Sequence, residues 1–415
     1  MDAIAFAQLR RRVIFDCCKW DPQVEDVCTI ADAPLILTAD AWHALSDLAG
    51  RLAAELATAE KEIAARPELH GDLGLPRPVV KALKQAVDRP SHGVARLARF
   101  DFHATDEGWR ISEVNSDVPG GLNEASGLGA MMADLFPHAQ MTGDPAAAYA
   151  HALASHSGEG CVALVHATSY TDDRQVMTFL ARSLERIGTQ AVLVGPLHVG
   201  WRDGRASVVC DWHSGPVKAI VRFFPGEWLP NLPAHCHWQQ FFEGAATPIS
   251  NPATAILTQT KRFPLVWDRL RAPMTAWRAL LPETRDPRDV DVNDDWVLKP
   301  ALGRVGEGVT MRGVSSSVDW KKTGHAVRRA PHEWVAQRRF NATPLVVGGR
   351  TLFPTVGVYT IDGVVAGAYG RVAERPLIDA TARDAAFLVA RAPAVPADPS
   401  RVGGTLDVRR ERALS

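Results

Sequence analysis

Hydrophobic and polar positions change their rhythm along this chain, and the changes mark out its elements. Residues 41–66, AWHALSDLAGRLAAELATAEKEIAAR, carry apolar side chains at helical spacing with charged residues opposite, and Pro67 marks the end of that helix. From Val94 the period shortens to two. ARFDFH and WRISEVN flank the turn residues DEG and predict a β-hairpin. A β-α-β passage begins at Cys161. There CVALVH reads as a buried strand, DDRQVMTFLARSLERIG as a helix stopped by Gly188, and QAVLVG as the next strand, with KAIVRFF at 218–224 a further one. The last third reads mostly as strands: WVLKP, VTMRGV, EWVAQRRF, LFPTVGVYTI and VVAGAYGRV. Asp362–Gly363 joins the final two and is a strong hairpin signal. After Arg391 the sequence is rich in Pro, Ala and Gly, and a loosely held tail is expected. A fold of sheets and helices in this order binds ligands at strand ends.

Composition narrows the function classes. At 415 residues the chain is long enough for two or three domains or one elaborate fold. Lys and Arg total 46 against 47 Asp and Glu, so the net charge is −1 and no electrostatic footprint for nucleic acid or an anionic membrane exists. No apolar run is long enough to span a bilayer, and Arg10, Arg11 and Arg12 follow rather than precede the short apolar stretch at the N-terminus, unlike a signal peptide. The six cysteines form no C-x-x-C pair and read as reduced thiols, some of them buried. The 14 histidines show no H-E-x-x-H, which argues against a zinc enzyme. A cytoplasmic location is expected.

Chemistry concentrates in three places. In the hairpin, alternation puts Arg99, Asp101 and His103 on one face and Phe100 and Phe102 on the other, while Glu113 and Asn115 share a face of the return strand. A turn centred on Glu107 pairs Asp101 with Glu113 and Arg99 with Asn115. Opposed side chains have Cβ atoms about 5 Å apart, so two carboxylates there repel unless something positive intervenes. A hard cation such as Mg²⁺ suits that donor set, and a solvated polar face is the alternative. Second, WVLKPALGRVGEG places Lys299 at a strand end before Arg304 and a loop with Gly303, Gly306 and Gly308, where backbone N–H groups and two cations can approach phosphates. Third is Lys261 in NPATAILTQTKRFPLVW, which by itself reads as an ordinary surface lysine.

Taken in order, these segments resemble the ATP-grasp ligases of the glutathionylspermidine synthetase family. RFDFHATDEGWRISEVNSD is similar to that family's R-x-D-F and E-x-N-x-D, and NPATAILTQTKRF to its segment ending in N-K, with Thr260 in place of the asparagine. VLKPALGRVGEGV resembles its V-K-P-x-x-G-R-x-G, and AGAYGRVAERPLI its late G-x-x-x-R hairpin. The resemblance runs from about residue 40 to 390. It implies an α/β chain with an ATP-grasp fold and an associated pre-ATP-grasp-like α/β region. The segments expected are an N-terminal helical part (1–92), the metal-binding hairpin with the pre-ATP-grasp-like region (93–250), the ATP-grasp nucleotide region (251–391) and the tail (392–415). No catalytic-cysteine amidase half is expected.

The resemblance also implies roles. Asp101, Glu113 and Asn115 match Mg²⁺ ligands, and Arg99 the arginine that steadies the transferred phosphate. Lys261 and Lys299 match the ATP-phosphate lysines, Gln337 falls near the adenine, and Arg371 is the late-hairpin arginine with Leu377 and Ile378 near the nucleotide. Glu227 stands where the family has an acidic residue facing the amine acceptor; an ordinary loop glutamate is the alternative. Where the family has small hydroxyl residues that help hold glutathione, this chain has Val118, Pro119, Gly120 and Gly121, which argues against glutathione as donor. The implied reaction is ATP- and Mg²⁺-dependent amide formation between a small-molecule or short-peptide carboxylate and an amine, through an acyl phosphate, with Arg99 or Arg304 stabilising developing charge. Residues 302–308 are expected to form a lid over the nucleotide. A small-molecule kinase of the same fold, or a nucleotide-binding protein without ligase activity, are the alternatives.

Overall fold

The computed structural model describes residues 1–87, 93–156, 158–243, 246–304 and 306–391; the expected tail and Val305 of the expected lid lie outside them. Three sheets of four or more strands organise the described residues. The largest has eight strands along the order Leu35–Leu37, Arg383–Ala390, Val364–Ala373, Arg350–Ile361, Leu97–Thr105 and Gly108–Asn115, with Leu345–Val347 and Ala139–Met141 pairing beside this path. Segments 1–92, 93–250 and 251–391 each contribute strands to it. The Asp362–Gly363 turn joins two of them with φ of 51° and 83°, the left-handed pair that a two-residue hairpin turn requires.

The second sheet holds the β-α-β passage. Ala191–Val194, Cys161–His166, His213–Phe223 and Ile249–Ser250 lie parallel in that spatial order, and two antiparallel strands, Val199–Arg202 and Arg205–Cys210, extend it. All six residues of Cys161–His166 are buried, as their unbroken apolar pattern predicts for a strand covered on both faces. The intervening helix is Thr171–Arg186, and Gly188 beyond it has φ of 75°. The third sheet is antiparallel, in the order Thr284–Arg285, Trp334–Arg338, Trp296–Pro300 and Thr310–Met311. VTMRGV therefore yields only a two-residue strand.

The amphipathic helix expected at 41–66 is Ala39–Ala64, capped by the Thr38 hydroxyl, which accepts from the Ala41 N–H at 3.3 Å. Its buried stripe, including Leu45, Leu52, Leu56 and Ile63, packs into the same core as Phe100 and Phe102 of the hairpin. Both phenylalanines are fully buried, and each contributes about 1.5–3 kcal/mol by leaving water. Phe100 meets Trp277 edge-on at 6.1 Å. The hairpin's polar face is thereby fixed away from this core. No described helix is long and apolar enough to cross a membrane.

One helix departs from the expectation of a strand-dominated last third. Ser317–Arg329 is α-helical, although only Thr323 and Val327 are buried in it. Its start is capped by the Ser316 hydroxyl, which accepts from the Asp319 N–H at 3.0 Å and donates to the Asp319 carboxylate at 2.6 Å.

Candidate functional site

The hairpin pairs Asp101 with Glu113 and Arg99 with Asn115, as expected, but by a different route. The turn is Asp106–Glu107, between the paired residues Thr105 and Gly108, and continuing that register would set Asp101 opposite Ser112. A bulge between Asp101 and Phe102 takes up Ser112 as the extra residue and returns Glu113 to its partner. Ser112 stays useful: its carbonyl accepts from Lys299 Nζ at 3.1 Å, and its hydroxyl meets His103 Nε2 at 3.0 Å.

These residues face a cavity of about 410 Å³ lying between the three large sheets. Arg99, Asp101, Glu113, Asn115, Glu227, Lys299, Arg304, Gln337, Arg371, Leu377 and Ile378 all line it. Lys261 stands behind that wall, its Nζ 3.0 Å from Glu113 Oε2 and 3.1 Å from the Gly303 carbonyl. The lysine that reads as a surface residue in sequence is thus drawn to the carboxylate pair.

The repulsion expected between the opposed carboxylates is met by the protein's own cations. Arg99 grips Asp101 through two hydrogen bonds of 2.7 and 2.8 Å and donates to the Gly120 carbonyl at 2.9 Å, while the Asn115 amide donates to Asp101 at 3.0 Å. Burial would raise the Glu113 carboxyl, but Lys261 and Lys299 outweigh it and hold it at about 2. Burial, helped by Lys261, brings the Lys299 ammonium down to about 8 against the opposing pull of Glu113 and Asp101. Lys299 also donates to Gln337 Oε1 at 2.7 Å, and Gln337 in turn donates to Thr284 at 3.1 Å. Burial and the nearby Lys299 push His103 down to about 3, so its ring is neutral.

Among the described residues no cluster of three or more His, Cys, Asp or Glu is arranged to hold a metal ion. The hairpin set is two carboxylates and a carboxamide. Mg²⁺ is usually held by one or two carboxylates completed by waters and phosphate oxygens, so the donors fit that ion in company with a phosphate ligand.

The glycine loop closes one side. A Cβ at Gly306, whose φ is 73°, would lie 2.2 Å from the Ile378 carbonyl, so only glycine lets the loop lie against that segment. Arg371 holds the same segment by donating to the Asp379 carbonyl at 2.9 Å. Arg304 reaches the opposite wall. Its guanidinium lies over the Trp228 ring at 4.9 Å, and its Nε is 3.9 Å from Glu227 Oε1. Burial pushes the Glu227 carboxyl up, with Asp117 adding to it, and burial likewise raises Asp173 to about 6.

Several groups escaped the sequence reading. Asp117 accepts from Arg222 and from the Gly226 N–H at 2.9 Å, in a pair with side chains 1% and 0% exposed. Lys19, also at the cavity, bridges Glu124 and Asp384, the latter at 2.8 Å. Asp172 and Asp173 open the helix Thr171–Arg186 on the cavity wall beside Arg304. Only the aspartate ending the E-x-N-x-D run carried a signal for any of these.

A solved structure of similar fold is that of a glutathione synthetase-like effector from Globodera pallida in its apo form, with a TM-score of 0.64 at 12% identity over 93% of this chain and 97% of that one. This likeness shows the fold, an ATP-grasp-related α/β architecture. Among curated proteins none matches the chain. The family model described as glutathionylspermidine synthase preATP-grasp matches residues 21–390. The chain therefore belongs to the glutathionylspermidine synthase preATP-grasp family, a family of ligases.

Proposed function

We propose that the protein is an ATP- and Mg²⁺-dependent carboxylate–amine ligase that forms an amide through an acyl phosphate. The observation that carries this reading is the convergence of Arg99, Lys261 and Lys299 on the Asp101–Glu113 pair beside one cavity. A carboxylate does not acylate an amine unaided, because its oxygen is a poor leaving group. In the proposed reaction a donor carboxylate oxygen attacks the γ-phosphorus of ATP, the bond to ADP breaks, and an acyl phosphate forms. The amine then adds to the acyl carbon, phosphate leaves, and the nitrogen loses a proton. Phosphoryl transfer asks mainly for positioning and charge neutralisation, which lysines and arginines supply.

In this reading Lys261 and Lys299 take the phosphates, Gln337 the adenine edge, and Arg371 with Leu377 and Ile378 the nucleotide's other wall. Asp101, Glu113 and Asn115 would hold Mg²⁺, which neutralises phosphate charge when bound. Arg99 steadies the transferred phosphoryl group, Arg304 excludes water from above it, and Glu227 faces the acceptor amine. The partners are small molecules or short peptides, with no nucleic acid or membrane. The six free thiols suit a reducing cytoplasm. The test is ADP release from Mg²⁺-ATP in the presence of acids and amines, singly and paired. Release that requires both supports the ligase; release with one hydroxyl compound alone would make the protein a kinase.

A further inference from the structure

We propose that a second cavity, at the carboxyl ends of the parallel strands, seats an aromatic or bulky apolar group attached to the acceptor amine. The proposal rests on the ligase reading and names the class of acceptor that the site takes.

The cavity, of about 440 Å³, is lined by His166, Tyr170, His198, Phe224 and Trp228 among others, and by no Asp, Glu, Lys or Arg among the described residues. It opens where strand Cys161–His166 and its parallel neighbour His213–Phe223 end. The chain leaves Cys161–His166 through helix Thr171–Arg186 toward Ala191–Val194 on the other side, so the two strands flank a switch point, the crevice in which parallel sheets bind ligands. Three rings build its wall, with Tyr170 and Phe224 at 5.2 and 6.2 Å from Trp228.

Two stretches of chain separate this cavity from the main one, and each serves both. Tyr170 lines the second cavity while Asp172 and Asp173 line the first. Phe224 and Trp228 line the second, while Phe223 and Glu227 line the first. Across these stretches the lining changes from carboxylates to aromatic rings within one or two residues of chain. The protein already places a cation at that crossing, because Arg304 lies over Trp228 beside Glu227. Its Nη2, Glu227 Oε2 and Asp173 Oδ2 are all buried without a hydrogen-bond partner among the described residues. An ammonium arriving beside Arg304 would find acceptors in the unpartnered Glu227 Oε2 and Asp173 Oδ2, and on displacing the guanidinium it would also meet the Trp228 ring face. A linear polyamine would carry further ammonium groups into the second cavity, whose described lining holds no carboxylate to offset their charge. A ring or branched apolar group suits it instead.

Calorimetric titration of the intact protein with phenethylamine, 1-butylamine and spermidine, without ATP or acid, tests this. Phenethylamine should bind at least tenfold more tightly than either other amine. Tyr170→Ala, at a residue 54% exposed, should cost phenethylamine at least fivefold in affinity and leave 1-butylamine within twofold. Gly195→Leu should do the same by filling the cavity, since its backbone φ of −83° accepts any residue and its new Cβ would come no nearer than 3.4 Å to Thr168. Equal or tighter binding of spermidine, or phenethylamine affinity unchanged in both folded variants, would overturn the proposal. The titration needs no turnover, so failure of the ligase reading would show separately, as an absence of ADP release with every acid–amine pair.

Discussion

Lys299 gives the sharpest quantitative expectation, because a buried ammonium held at about 8 is a stability cost with a defined pH window. Near pH 7 the folded and unfolded chains both carry its proton, and the folded state bears the whole penalty of the buried charge. As the pH rises through about 8 the folded chain releases the proton, whereas an unfolded lysine keeps it to about 10.5. The unfolded state then binds more protons, so this group's contribution to stability improves with pH across that window. At about 1.4 kcal/mol per pH unit, the interval amounts to about 3 kcal/mol. Lys299→Met keeps the length of the side chain and removes the ionisation. Its absolute effect at pH 7 mixes relief of that penalty with the loss of hydrogen bonds to Gln337 and the Ser112 carbonyl. The pH dependence of the difference is free of that ambiguity. Urea unfolding of both proteins from pH 7 to 10.5 should show the native chain gaining about 3 kcal/mol on the Met variant. A difference flat across that range would refute the lowering of the Lys299 ammonium to about 8. The same variant should lose Mg²⁺-ATP binding, so the cost in stability would be the counterpart of function.

Four further outcomes are expected. Asp101→Asn and Glu113→Gln should each lower Mg²⁺-dependent kcat on the order of 10²-fold with unchanged circular dichroism, because the amide keeps the shape and removes the charge. Asp117→Asn strands the buried Arg222 guanidinium and should cost about 3–5 kcal/mol in urea unfolding at neutral pH. Arg304→Ala should reduce kcat more than it weakens ATP binding, and amide exchange at Gly303, Arg304 and Gly306 should slow when nucleotide binds. Glu227→Gln should raise KM for the amine more than KM for ATP in steady-state assays, whereas equal changes would mark the residue as structural.

The hairpin was legible because period-two alternation and a register count are local quantities. Phe100 and Phe102 point into the core for the same reason that Arg99, Asp101 and His103 face the cavity. Helix Ser317–Arg329 was overlooked because so few of its residues are buried, leaving no apolar stripe; its signal was the pair Ser316 and Asp319. The ion pairs were beyond reach for another reason. Lys19 and Asp384 lie 365 positions apart, and they meet only because the first and last segments of the chain share a wall of the cavity. Lys261 shows the same limit, since burial against Glu113 distinguishes it from a surface lysine and burial is a property of the assembled sheets.

The glycines at 120 and 121 join backbone packing to the candidate site. They stand where the resemblance calls for hydroxyl side chains, and they read in sequence as a simple loss of donor contacts. In the structure they have a packing role. Gly121 has φ of 87°, and a Cβ there would lie 2.6 Å from the Tyr359 hydroxyl, so no other residue fits without moving that ring. With the space empty, Tyr359 donates to the Gly120 carbonyl at 2.6 Å, and Arg99 donates to the same oxygen at 2.9 Å. Tyr369 packs beside Tyr359 and under the Arg99 guanidinium, whose centre is 5.3 Å from its ring. The backbone at Gly120 therefore anchors Arg99, with no side-chain hydroxyl at either glycine position. Gly121→Ser would displace Tyr359 and loosen the arginine that grips Asp101. In the proposed ligase reading, donor recognition falls to groups that this packing leaves at the cavity wall, among them Asn123, Glu124 and Lys19.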